Sequence, residues 1–104
     1  MSTELYTRCP EMERNAKQIA EMLKLLANEN RLLILCALME QQLTVGALAE
    51  FVPNITLSAL SQHLTLLKTA GILSSEKKGQ NVTYTIADER VTGLVQALKK
   101  YYCP

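Results

Sequence analysis

The chain has 104 residues, of which 48% are hydrophobic, 20% charged and 5% aromatic, and its 11 basic and 10 acidic side chains leave a net charge of +1. A chain of this size buries about two-thirds of the surface its unfolded form exposes, enough for one core but not two, and its apolar fraction excludes disorder. The longest apolar run, Leu32 to Met39, has eight residues, against the ~20 that a membrane helix requires.

The first residues lack the apolar stretch of a secretory signal, so the expectation is a single cytoplasmic domain over 1–104, with residues 1–10 a flexible tail and no membrane partner. From Met12 to Ala27, apolar Met12, Ala16, Ile19, Ala20, Leu23 and Leu26 recur against Glu13, Lys17, Glu21 and Lys24 at helical spacing. Asn28 offers a cap for a second helix running through Glu40, with Leu32, Leu35, Cys36 and Met39 as its stripe and the thiol on the buried side. Thr44 caps a short third helix, Val45 to Phe51, stopped by Pro53.

Thr56 to Ala70 forms a fourth helix, with Leu57, Leu60, Leu64 and Leu67 on one face, Ser58, Ser61, Gln62 and Thr65 on another, and Gly71 as the stop. Ile72 to Glu76 and Asn81 to Ile86 then predict two strands joined by a turn at Lys77 to Gln80. From Asp88 the chain returns to helix, with Val91, Leu94, Val95, Leu98 and Tyr101 or Tyr102 as its stripe.

The fold class is therefore mainly α with a small β-hairpin, ordered helix, helix, helix, helix, hairpin, helix. Two helices joined by a tight turn and followed by a two-stranded ribbon make a winged helix-turn-helix. In that architecture the fourth helix enters a DNA major groove. Thr56, Ser58, Ser61, Gln62, His63, Thr65 and Lys68 are its candidate contacts, with Lys77 and Lys78 reaching the neighbouring backbone. A solvated helix face and a charged hairpin turn are the plainer alternatives.

Charge favours the first reading. Residues up to Pro53 carry five basic and seven acidic side chains, Asn54 to Ile86 three and one, and the remainder three and two. The reading head is thus the clearly positive segment, by a small margin, which predicts a shallow salt dependence and reliance on a dimer. The first and last helices carry apolar stripes beyond what one small core needs. A two-fold homodimer built from them sets two reading helices about 34 Å apart on a palindromic double-stranded operator.

Cys9, Cys36 and Cys103 are too few and too scattered for a disulfide scaffold, and they suit a reducing compartment. On pattern alone Cys36 can be a small core residue and Cys103 a frayed terminal one. No cofactor is implied.

Three stretches together resemble the ArsR/SmtB family of bacterial repressors: Leu23 to Leu35 (Leu-Lys-Leu-Leu-Ala-Asn-Glu-Asn-Arg-Leu-Leu-Ile-Leu), Leu57 to Leu73 with its Ser-Gln-His-Leu core, and Lys78 to Ile86. The resemblance implies a homodimeric winged helix repressor that leaves DNA when an inducer binds. The family's metal motifs are missing: Thr44 to Phe51 holds no Cys, Arg90 stands where a ligating His would, and His63 is the sole histidine. Within the family, Cys36 and Cys103 resemble the pair of the BigR/SqrR group, which senses low-molecular-weight persulfides by linking two such cysteines. That implies a redox-sensing pair at Cys36 and Cys103, with Cys9 unassigned.

Lys99 and Lys100 lie one turn from Cys103 and favour its thiolate, while a buried Cys36 is the slower partner. Alternatives are a metalloid or soft-metal sensor using the same thiols, a thiol enzyme such as a peroxidase, for which no base stands beside either cysteine, and a winged helix used only for protein contacts.

Overall fold

The structure, a computed structural model, describes residues 9–103, so most of the tail expected over residues 1–10 lies outside the described residues. Helices begin where short polar side chains precede apolar runs. α1 (Pro10–Leu26) starts on proline, whose fixed φ suits the first helical turn and whose missing N–H has no partner to lose there. Cys9 occupies its N-cap and Pro10 its first turn, two residues before the Met12 start that the sequence predicts. Asn28 accepts a hydrogen bond from the Arg31 amide to start α2 (Glu29–Leu38).

Leu43–Thr44 forms a two-residue strand, β1, and Thr44 also caps α3 (Val45–Leu48), which is shorter than the sequence predicts. Thr56 caps α4 (Leu57–Thr69), β2 (Leu73–Lys78) and β3 (Asn81–Ile86) follow, and Asp88 caps α5 (Glu89–Tyr102).

The end of α4 shows why this helix stops where it does. Gly71, at φ +81°, donates to the Lys68 carbonyl at 3.0 Å and Ile72 donates to Leu67 at 3.0 Å. This is a Schellman closure that needs a left-handed residue at the position glycine fills. Ile72 and Leu67 are both buried beneath it.

The sheet has three antiparallel strands in the order β1-β3-β2, not the two expected. Leu43 pairs with Tyr84 and Thr44 with Thr83, and two residues are too few to show an alternating pattern. The hairpin is also tighter than expected. Lys77 pairs with Val82 and Lys78 with Asn81, so both lysines end the strand and Gly79, at φ +64°, opens a two-residue turn.

The core is built by Ile34, Leu35, Leu48, Val52, Leu60, Leu64, Leu67, Ile72, Leu73, Val91 and Val95, all 2% exposed or less. Two predicted stripes are corrected by it. On α2 the buried residues are Ile34, Leu35, Ala37 and Leu38, while Leu32, Cys36 and Met39 are only half-buried. On α4 Leu57 is 61% exposed and leaves the stripe to Leu60, Leu64 and Leu67. α1 contributes Leu26 alone to the buried set, and among the described residues no helix is long and apolar enough to cross a membrane.

Candidate functional site

With Leu60, Leu64 and Leu67 buried beneath it, α4 turns Ser58, Ser61, Gln62, Thr65 and Lys68 to solvent. The spacing from 58 through 61, 62 and 65 keeps these hydroxyl and amide groups on one face. They can donate to and accept from base edges, while Lys68 can meet phosphate. Thr56 precedes them at the cap, where its Oγ1 accepts from the Ala59 amide at 3.0 Å and its hydroxyl proton is left to donate outward. Lys77 and Lys78 are exposed at the tip of the ribbon.

His63 differs from its neighbours. It is half-buried, and its Nδ1 accepts from Arg31 Nε at 3.2 Å, while Arg31 Nη1 donates to the Leu25 carbonyl at 2.8 Å. Burial, and secondarily the Arg31 charge, hold the imidazole below its ordinary pKa, so it is a neutral acceptor near pH 7. Arg31 therefore ties the end of α1, the start of α2 and the reading helix together. It is a residue the sequence reading missed, and its signal was a lone cation opening the apolar run from Leu32 to Met39.

A second constellation lies where α5 crosses α2. Cys36 from α2 and Cys103 at the C-cap of α5 line one cleft of about 230 Å³, together with Leu32, Leu98, Lys99 and Tyr102. Both thiols are free. Burial pushes the Cys36 pKa up, the Lys99 charge pulls it down and the nearby Cys103 adds an upward push. Lys99 bonds Glu40 Oε1 at 2.5 Å, whereas Lys100 sits over the Tyr101 ring, 6.0 Å from its centroid. Lys100 is thus turned toward its neighbour's ring and does not line the thiol cleft with Lys99. Cys9 is exposed at the other end of the chain, with its Sγ 3.5 Å from Glu11.

The Arg90 guanidinium grips the Asp88 carboxylate at 2.7 and 3.0 Å and holds its pKa below the usual range. Among the described residues no three His, Cys, Asp or Glu side chains are grouped to hold an ion.

Beside the thiol cleft runs an apolar groove of about 350 Å³, walled by Leu23, Ala27, Leu32, Leu94, Leu98 and Tyr101 from α1, α2 and α5. Leu23, Leu94 and Leu98 are 46%, 38% and 42% exposed. Leu32 and Leu98 wall both the groove and the thiol cleft.

Residues 28–75 match the family described as bacterial regulatory protein, arsR family. The transcriptional activator HlyU of Vibrio cholerae is 40% identical over 93 residues, covering 89% of this chain and 85% of that one. The chain belongs to the arsR family. The reduced form of Vibrio cholerae HlyU superposes on it with a TM-score of 0.84 at 38% identity, covering 92% of this chain and 100% of the other.

The transcriptional repressor BigR from Xylella fastidiosa gives 0.81 at 30% identity, over 100% and 99%. The homodimeric winged helix-turn-helix DNA-binding domain Mb0332 from Mycobacterium bovis gives 0.73 at 28% identity, over 92% and 88%. The fold is thus a winged helix-turn-helix, and the protein is a transcriptional regulator of the arsR family.

Proposed function

We propose that this protein is a homodimeric cytoplasmic repressor that reads double-stranded operator DNA with α4 and the β2–β3 wing, and that it releases the operator when a low-molecular-weight persulfide links Cys36 to Cys103. The observation that carries this reading is the cleft the two sulfurs share, walled in part by the same Leu32 and Leu98 as the apolar groove. Similarity to proteins named as a repressor and as a homodimeric DNA-binding domain supports the regulatory half.

The chemistry balances in two steps. One cysteine thiolate attacks the outer sulfur of a persulfide R–S–SH, forming protein–S–SH and expelling the thiolate R–S⁻. The second thiolate attacks the inner sulfur of that protein persulfide and expels HS⁻, leaving a disulfide. The persulfide is the oxidant, and both cysteines are oxidised by it. For the link to close, the two Cα atoms must come within ~4.4–6.8 Å.

The consequence follows from where the link lies. α2 carries Arg31, which holds His63 on the reading helix, and α5 carries the exposed apolar residues that a second protomer would cover. Fixing α2 to α5 changes the angle between the two reading heads. A coupling of about 1–3 kcal/mol lowers operator affinity about fivefold to 150-fold.

Gel-shift titration before and after glutathione persulfide tests this, with intact mass recorded on the same samples. The wild-type dimer is expected to lose two hydrogens and its DNA. Cys36→Ser and Cys103→Ser are expected to stay bound, and release of DNA from both variants overturns the switch.

A further inference from the structure

The two sulfurs share their cleft with a cation that is already spoken for. Glu40 stands four residues after Cys36, in the turn that follows α2, and Lys99 on α5 stands four residues before its C-cap Cys103. Their ion pair therefore joins the turn after α2 to α5, four positions along the chain from each cysteine. Lys99 lines the cleft with both cysteines, its side chain 29% exposed, while the Glu40 side chain is 71% exposed. Glu40 also walls a second cleft of about 390 Å³ that reaches Cys36 from its other side, with Leu33, Ala37, Gln41 and Phe51. Cys36 thus lines two clefts, one that Glu40 also walls and one that Lys99 also walls.

We propose that Glu40 is a positioning residue that restrains the thiol pair, holding the Lys99 ammonium across the seam and offsetting the charge that would otherwise favour the Cys36 thiolate. This deepens the dithiol reading above and rests on it. The thiolate is the nucleophile, and a neighbouring cation lowers the cost of forming it in a half-buried site. A carboxylate bonded to that cation weakens its field at the sulfur without cancelling it, since the Lys99 charge still pulls the Cys36 pKa down. The groups facing Cys36 are Lys99, Tyr102 and the C-cap Cys103 from α5 and Glu40 from the turn after its own helix, while Phe51 and Leu33 bring no charge.

The largest effect on Lys99 is its hydrogen bond to Glu40, with both cysteines acting on it more weakly. An exposed ion pair holds only loosely, so the restraint sets a threshold and is not a lock. Stray electrophiles then meet a sluggish thiol, and the switch responds to sulfur donors potent enough to react with it.

The test is the pH profile of alkylation by iodoacetamide in the full-length reduced protein, read at the Cys36 peptide by mass spectrometry. Glu40→Gln is expected to move the profile to lower pH and to speed reaction near neutrality about threefold to tenfold, a shift of half to one pH unit. Lys99→Gln is expected to slow the reaction, Lys99→Arg to leave it at the wild-type rate, and most of the Glu40→Gln gain to vanish in the Lys99→Gln background. An unchanged or slower Glu40→Gln profile, or a gain as large without Lys99 as with it, overturns the proposal. Alkylation requires no operator, so failure here is distinct from failure of the switch, which is read by release of DNA.

Discussion

α4 and α2 are both leucine-rich helices, of 13 and 10 residues, yet they report their orientation very differently. On α4 the buried leucines alternate with serine, glutamine, threonine and lysine, and the contrast between faces settles which side is packed. α2 is apolar without interruption from Leu32 to Met39, so its own sequence has no preferred side. Its orientation is decided by what lands on it, with α1, α5 and β3 each taking a share. The first kind of helix makes a surface that a pattern can reveal. The second makes a seam, and Cys36 lies on the seam.

The largest effect expected from this contrast is on the packed face of α4. Leu64 is 0% exposed, so Leu64→Ala should cost about 2–5 kcal/mol in urea denaturation followed by circular dichroism. Leu33→Ala on α2, where the side chain is 36% exposed, should cost less than about 1 kcal/mol. Near-equal losses would erase the distinction between the two helices.

On the opposite face, Gln62→Ala should leave stability within about 0.5 kcal/mol while weakening operator binding by about 1–3 kcal/mol in fluorescence anisotropy. An unchanged affinity would mean that this face of α4 does not touch the bases.

The smallest effect concerns the link between the two helices. His63 accepts from Arg31 only when neutral, and its folded pKa lies below the ordinary imidazole value. Its contribution is therefore complete above that ordinary value and fades as the pH falls through the lowered one. Melting temperature should drop slightly between pH ~7 and ~5, above the range where carboxylates titrate, and His63→Gln should flatten that drop. A wild-type curve that rises toward acid would reverse the assigned sign.

Much of this architecture was legible beforehand, for identifiable reasons. Asn28, Thr44, Thr56 and Asp88 announce helix starts because each carries a side-chain oxygen close enough to its own backbone to accept from an amide two or three residues on, and Gly71 announces a stop because few other residues accept its backbone angle. The wing followed from the alternation of Val82, Tyr84 and Ile86. β1 escaped because its two residues draw their pairing from β3, some forty positions away. The face of α2 escaped because nothing polar marks it. The Arg31–His63 and Glu40–Lys99 contacts, separated by 32 and 59 positions, have no local period to betray them. Joining Cys36 to Cys103 came from family resemblance, and spacing alone does not predict it.

α1 carries a last consequence. Of its seventeen residues one is buried within its own protomer, so in the proposed dimer most of its apolar stripe is sheltered by the other copy. Assembly then sets dosage: well below the dissociation constant, halving the protein in a cell leaves about a quarter of the active species, and silencing of a promoter responds to copy number more steeply than in proportion.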